Sequence, residues 1–294
     1  MLHTIKYSKG DIAMEEYIAD YHVHTEFSDD SVCPMETMIQ RGIELGLNEI
    51  CFTDHVDYGI KLDWGETAGK CRLEDGIPVR NVDYAAYFRK IEQLQKQYKD
   101  KIQIRKGLEF GIQTGTIPQY EALFHQYQLD FVILSIHEIG NQEFWNQDYQ
   151  SGRSQKELND TYYEELYRVI CQYQNYSVLG HLDLIKRYDP FGIYPFENNR
   201  EIITKILQKV IEDGKGIEVN TSSFYYKLPD LQPCTEILRL YRELGGTIIT
   251  IGSDAHKSEF LSDHIEDVKQ KLRELGYTQF CTFEKMKPIF HPLN

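Results

Sequence analysis

Seven short apolar runs, separated by amphipathic stretches, dominate the pattern of hydrophobic and polar positions along the chain. The runs over residues 131–134 and 247–251 are continuous rather than alternating. Continuous apolar runs are typical of parallel strands that are buried on both faces. The pattern therefore predicts strands over residues 17–23, 49–53, 102–109, 131–136, 176–181, 216–220 and 247–251.

The segments between these runs carry apolar residues at helical spacing. Pro34 can occupy a first helical turn that Gly46 ends, and Asp83 can cap another helix. Further apolar stripes span residues 84–94, 158–173, 202–211 and 237–244. Packing against a core accounts for these stripes without any functional role.

Strand and helix alternate along the whole chain, which predicts one α/β domain over residues 1–294 with a parallel sheet. The pattern alone leaves a closed barrel and an open doubly wound sheet as alternatives. No Gly-x-Gly-x-x-Gly follows the first predicted strand, and this weighs against a dinucleotide-binding sheet.

Composition and charge narrow the possible partners. The 294 residues are 41% hydrophobic, and 32 basic against 46 acidic residues give a formal charge of −14. This charge argues against binding of long nucleic acid, and an anionic substrate would need metal ions or placed arginines beside it. No apolar run is long enough to predict a membrane span.

The cysteines and the first residues of the chain indicate a cytoplasmic protein. The six cysteines are scattered and form no Cys-x-x-Cys pair, so we expect reduced thiols. Residues 1–20 lack the basic-then-apolar order of a signal peptide.

Residue types that bind metals follow six of the seven predicted strands. The C-terminal ends of parallel barrel strands are where catalytic groups gather. A His-x-His pair alone is a weak signal, but the shared position of the whole set predicts one site. Its candidate members are His22, His24, Asp29, Asp30, His55, Glu109, His137, His181, Asp183, Asp254 and His256.

Imidazoles mixed with carboxylates suit Zn, Mn or Fe, and the lack of thiolates makes a closed structural zinc site improbable. The set has more ligands than one ion can use, so it predicts two to three divalent ions. Glu109 is a candidate bridge between two of them.

From about residue 17 to its end, the chain resembles the polymerase-and-histidinol-phosphatase (PHP) family, and within it the histidinol-phosphatase branch. The motifs that carry the resemblance occur in the family's order. They are His22-Val23-His24-Thr25, Thr53-Asp54-His55, Gly107-Leu108-Glu109, Ser135-Ile136-His137, Gly180-His181-Leu182-Asp183 and Gly252-Ser253-Asp254-Ala255-His256.

The resemblance implies a distorted (β/α)7 TIM-like barrel with three metal ions at the C-terminal mouth of its strands. It assigns one ion to His22, His24, Glu109 and Asp254. It assigns a second to Glu109, His137 and His181. It assigns the third to Asp30, His55 and His256, with Asp29 as the neighbouring competitor of Asp30.

The leading hypothesis is a metal-dependent phosphatase that hydrolyses L-histidinol phosphate, a phosphate monoester, in histidine biosynthesis. Hydroxide bridging the metal ions would attack the phosphorus, with Glu109, Asp254 and His256 as the catalytic residues. The alternatives are a related phosphoesterase acting on another small ester or a nucleotide, and a regulatory metal-binding module. An amidohydrolase would bring a different order of motifs.

Several residues outside the ligand set are candidates for the substrate site. Arg153 and Arg187 are predicted to bind the terminal phosphate, since guanidinium groups bind it bidentately. Asp183 and His256 could pass a proton to the leaving group. Glu218 and Asn220 either line the pocket or satisfy local hydrogen bonds. The long polar segment 57–82 is predicted to cover the mouth.

Overall fold

The computed structural model describes residues 16–66, 72–74 and 76–293. Within these residues, seven parallel strands form one sheet whose neighbours follow the order of the sequence. The predicted strands are confirmed, with shorter bounds at several ends. They are β1 Ala19–Val23, β2 Glu49–Phe52, β3 Gln103–Gly111, β4 Phe131–Ser135, β5 Val178–Leu179, β6 Gly216–Asn220 and β7 Ile249–Gly252.

The sheet curls into a nearly closed barrel, which confirms the predicted barrel and rules out the open sheet. The first strand meets the segment after β7. There, the amide of Asp254 donates to His22 O at 2.8 Å and the amide of His24 donates to Ala255 O at 2.9 Å. A short strand, His55–Val56, extends the second strand position and pairs with β3.

Helices connect the strands, and local sequence explains where several of them begin. Asp83 caps the second helix by accepting from the amide of Ala86 at 3.0 Å. Ser154 and Glu157 form a capping box at the start of the fourth. The helices are α1 Met35–Glu44, α2 Tyr84–Gln97, α3 Ile117–Gln126, α4 Gln155–Ile170, α5 Ile185–Tyr188, α6 Phe196–Glu212, α7 Ser222–Tyr225, α8 Thr235–Glu243 and α9 Ile265–Glu274.

A C-terminal hairpin packs against the amino-terminal ends of the strands, away from the mouth. It consists of β8 Gln279–Glu284 and β9 Lys287–Pro292. The amide of Phe283 donates to the Tyr21 hydroxyl at 2.7 Å, and that hydroxyl lies 2.5 Å from Glu49 Oε1. Phe131 contacts both aromatic rings. The hairpin therefore seals the end of the barrel opposite the metal-type residues.

The sequence pattern did not predict α3, α5, α7, α9 or this hairpin. None of the helices in the described ranges has both the length and the apolar character needed to cross a bilayer. Cys71 lies outside the described residues. The remaining cysteines are free, namely Cys33, Cys51, Cys171, Cys234 and Cys281.

Candidate metal centre

A cavity of about 470 Å³ opens at the carboxyl ends of the strands. This volume suits a small-molecule ligand. All six strand-end histidines lie at or directly beneath this cavity and contact one another or shared carboxylates. Because parallel strands end at the same edge, residues that are far apart in sequence meet here.

Glu109, at the end of β3, is the centre of the cluster and is fully buried. Its Oε2 faces His22 Nε2 at 3.2 Å and His55 Nδ1 at 2.9 Å. Its Oε1 faces the Nε2 atoms of His137 at 3.2 Å and His181 at 2.9 Å. One carboxylate thus presents its two oxygens to two different sets of imidazoles, as a bridging ligand does.

The first set combines His22 of β1 and His24, which directly follows β1, with Asp254. The Oδ1 atom of Asp254 lies 3.6 Å from His22 Nε2 and 3.4 Å from His24 Nε2. The Asp254 backbone has a φ of 57°, a strained conformation that is concentrated at functional sites. Asp20 supports this backbone by accepting from the Ser253 amide at 2.9 Å and from the Ser253 hydroxyl.

A second group lies nearer the surface. The Oδ2 atom of Asp30 lies 3.3 Å from His55 Nε2 and 3.1 Å from His256 Nε2. Asp29 faces elsewhere and forms an ion pair with Lys61 at 2.7 Å. This placement favours Asp30 over Asp29 as the ligand.

The third group lies on the other side of Glu109. It contains His137, His181 and Asp57, a residue that the sequence analysis missed. Asp57 Oδ1 lies 2.7 Å from His137 Nδ1 and leaves His137 Nε2 facing Glu109. Asp57 follows His55 at the i, i+2 spacing of His22 and His24, and this spacing was the signal that could have identified it.

Several buried ligand atoms of this cluster lie close to one another but have no partner in hydrogen-bond geometry among the described residues. Buried polar atoms are normally hydrogen-bonded, so a convergent group of unsatisfied ones implies a missing binding partner. Imidazole nitrogens around a carboxylate oxygen match a divalent cation of the Zn, Mn or Fe type. The atoms are His22 Nε2, His24 Nε2, His55 Nδ1 and Glu109 Oε2.

The charges of the cluster also favour a cation. Burial opposes protonation of His22, yet Glu218 and Glu109 prevail and raise its pKa well above the usual value. Burial would raise the pKa of Glu109, but the surrounding histidines hold it well below normal. Glu109 is therefore ionised, and protons compete with a metal for the nitrogen atoms of His22.

Glu218 and Asn220, at the end of β6, support the ligands from behind. Glu218 Oε1 lies 2.6 Å from His22 Nδ1, so that His22 Nε2 points to the cluster. The Asn220 amide lies 3.3 Å from Glu218 Oε2 and from Asp254 Oδ2. Of the two alternatives left by the sequence, local hydrogen bonding is the correct one, and its partners are the candidate ligands.

The two predicted phosphate-binding arginines differ in position. Arg187 lines the cavity, and its Nη1 lies 3.6 Å from Asp254 Oδ2. Arg153 is outside the lining, and it donates to the carbonyl of Tyr149 and to Gln142 Oε1. The structure brings Arg187 to the metal-type residues and does not bring Arg153 there.

Two further sequence expectations have different outcomes. Asp183 accepts from Lys186 Nζ at 2.8 Å and from the Cys234 amide at 2.9 Å and is outside the cavity lining, so the structure does not bring it to the place where a leaving group would take a proton. In the segment 57–82, the described residues Asp57, Ile60, Lys61, Arg72, Glu74 and Val79 line the cavity. Covering of the mouth by this segment stays a prediction.

A nearly closed α/β barrel with a buried cluster of histidines and carboxylates at its mouth is the architecture of a metal-dependent hydrolase. Comparison with known proteins agrees with this class. A PHP domain model matches residues 20–222. The histidinol-phosphatase of Lactococcus lactis is 32% identical over 274 residues, covering 91% of this chain and 95% of that protein.

Two more comparisons extend over most of the chain. A probable histidinol-phosphatase of Thermotoga maritima is 28% identical over 88% of this chain and 92% of its own length. The crystal structure of L. lactis histidinol phosphate phosphatase, complexed with Zn, L-histidinol and phosphate, superposes with a TM-score of 0.79. The two chains are 31% identical in this superposition, which covers 94% of this chain and 100% of the L. lactis chain. The chain belongs to the PHP domain family.

Proposed function

We propose that this protein is a metal-dependent phosphatase that hydrolyses L-histidinol phosphate to L-histidinol and inorganic phosphate. The observation that carries the proposal is the position of Glu109, whose two oxygens face separate sets of imidazoles beneath a cavity that contains Arg187. Similarity to a protein that binds Zn, L-histidinol and phosphate supports the choice of substrate.

Three ligand groups make three ions the natural number, with Zn, Mn or Fe as the metal. His22, His24, Glu109 and Asp254 would hold one ion, and Glu109, His137 and His181 a second. Asp30, His55 and His256 would hold the third. Bound at these residues, divalent ions would supply a water of lowered pKa and neutralise the phosphate charge.

The side chains of the chain itself position the reacting groups. Arg187 Nε is buried and has no hydrogen-bond partner among the described residues, so it is free to donate to a phosphate oxygen. Arg187 Nη2 donates to Ser222 Oγ and Gln232 Oε1, both at 2.7 Å, which fixes the plane of the guanidinium group.

The departing alcohol needs a proton, and His256 is the proposed donor at the rim of the site. Its side chain is 28% exposed, so it can exchange protons with solvent. Its Nδ1 lies 2.9 Å from the Asp254 carbonyl oxygen, which leaves Nε2 facing the cavity and Asp30. Proton transfer and metal binding by His256 use the same nitrogen and are therefore alternatives at any one step.

The test is phosphate release by the protein purified with Zn or Mn. L-Histidinol phosphate is compared with a panel of other monoesters, including a nucleotide, and with a diester. We expect histidinol phosphate to have the highest kcat/KM and the diester to be inert. Good turnover of another monoester beside poor turnover of histidinol phosphate would replace the substrate while keeping the reaction class.

A further inference from the structure

Part of the cavity lining has a composition that phosphate binding does not explain. We call this part the acidic wall, because among the described residues it has five carboxylates and two cations. Phosphate is an anion, so an excess of negative charge beside its site needs another reason. The members of the acidic wall are Asp29, Asp57, Lys61, Arg72, Glu74, Glu138 and Glu143.

Lys61 neutralises one pair of these carboxylates. Its Nζ lies 2.7 Å from Asp29 Oδ1 and 2.8 Å from Asp57 Oδ2. The Lys61 side chain is only 10% exposed, so this pairing is shielded from solvent. Asp57 also contacts His137 Nδ1, and therefore the acidic wall begins directly at the candidate ligands.

Arg72 neutralises the second pair. It binds Glu143 through two parallel hydrogen bonds of 2.9 Å, the bidentate geometry of strong guanidinium–carboxylate pairs. Its Nη2 also lies 2.7 Å from Glu74 Oε1. Each of the two cations of the acidic wall thus contacts two carboxylates, and neither of them forms an ion pair with the fifth carboxylate.

The fifth carboxylate, Glu138, is 1% exposed. Its one hydrogen-bond donor among the described residues is the amide of Gln113, whose Nε2 lies 3.2 Å from Glu138 Oε1. No lysine or arginine of the described chain forms an ion pair with it. A carboxylate buried in this way is costly unless a cation approaches it, and a ligand in the cavity can bring that cation.

Building on the proposed function, we infer that Glu138 binds an ammonium group of the substrate and makes the site selective for amino-alcohol phosphates. Glu138 directly follows His137, whose Nε2 lies 3.2 Å from Glu109. The ammonium group of L-histidinol phosphate is on the carbon next to the ester-bearing carbon. The ammonium group of this substrate therefore lies close to the phosphate, and Glu138 lines the same cavity as His137.

The test compares two esters that differ only in the amine, L-histidinol phosphate and 3-(imidazol-4-yl)propyl phosphate. For the wild-type enzyme, we expect kcat/KM to favour the amine-bearing ester at least tenfold. In Glu138→Gln, the ratio between the two esters should fall by about tenfold or more, because a neutral amide cannot pair with an ammonium group. Metal content and circular dichroism verify that the variant is loaded and folded.

Glu74→Gln is the matched control, since Glu74 lines the same cavity but already contacts Arg72. The ratio of kcat/KM between the two esters should stay within about threefold of wild type in this variant. An equal loss on both esters in Glu138→Gln, or an unchanged ratio, would overturn the inference. A fall of the kcat/KM ratio in Glu74→Gln but not in Glu138→Gln would also overturn the inference. Failure of the wild-type enzyme to hydrolyse histidinol phosphate would contradict the proposed function instead.

Discussion

Glu218 contacts two candidate metal ligands, His22 and His181, that are far apart in the sequence. Its Oε1 lies 2.6 Å from His22 Nδ1, and its Oε2 accepts a hydrogen bond from the His181 backbone amide at 2.9 Å. One buried carboxylate on β6 thus orients an imidazole on β1 and the backbone that follows β5. β6 supplies no candidate ligand itself, but through Glu218 it holds two ligands in place.

We expect Glu218→Gln to lower metal affinity or activity by about 10- to 100-fold. The amide keeps the shape of the side chain but loses the charge that makes the His22 ring a better electron donor. Metal bound after dialysis, measured by mass spectrometry beside kcat/KM, reports the change. Glu157→Gln, at the exposed start of α4, is the control. Equal metal retention in both variants would argue against this role.

His22→Ala should remove metal and reduce activity by at least about 100-fold, while the barrel stays folded. The reason is that His22 Nε2 is buried, lacks a hydrogen-bond partner and faces Glu109. Metal analysis and a thermal unfolding curve test the two parts separately. Wild-type activity in this variant would exclude His22 from the site.

Asp30→Asn and Asp29→Asn should differ although the residues are neighbours. Asp30 lies between His55 and His256, so its loss should release metal and lower kcat by about tenfold or more. Asp29 pairs with Lys61, so its change should leave the metal content near wild type. A metal loss confined to Asp29→Asn would reverse the assignment.

Arg187→Met should lower kcat/KM for a phosphate monoester by about 100-fold, since charge-assisted hydrogen bonds contribute about 1.5–3 kcal/mol. Arg153→Met is the paired variant, and from its contacts with Gln142 and Tyr149 we expect a change of about threefold or less. Steady-state kinetics with and without inorganic phosphate as inhibitor measure both. A larger effect at Arg153 would show that its side chain reaches the substrate.

Stability should respond to pH through His291, far from the metal-type residues. Burial lowers the pKa of His291, and its ring stacks on that of Tyr17 with 3.8 Å between the ring centroids. The fold therefore prefers the neutral ring, and this contribution is present above the unfolded pKa of about 6.5 and lost as pH falls below it. Urea unfolding at pH 7.5 and 5.5 should show a smaller acid-induced loss for His291→Gln than for wild type. An equal loss would contradict the pKa direction.

The strand-end pattern was sufficient to predict a parallel α/β sheet and the gathering of six histidines, because parallel strands bring their carboxyl ends to one edge. The choice of a closed barrel over an open sheet came from the resemblance to the PHP family. His22 and Asp254 could be related in this way although 232 positions separate them. Short apolar runs also located each barrel strand.

The directions in which side chains point within the site could not be predicted in the same way. The register between β1 and β2 shifts between Asp20 and Val23, and such irregularities re-aim side chains near functional sites. Asp57 lies in a long polar segment, and its contacts with Lys61 and His137 arise only in the folded chain. The position of Arg153 depends on a turn that stacks it on Tyr149. Such details arise from tertiary contacts that no local pattern encodes.

The seam between β1 and the residues after β7 has a consequence for the order of events during protein synthesis. His22 and His24 leave the ribosome more than 200 residues before Asp254 and His256. Hydrogen bonds from Asp254 to His22 and from His24 to Ala255 form only then. A nascent chain that has not reached this seam lacks Asp254 and His256, so we expect its candidate ligand set to become complete only after residue 256 has been added.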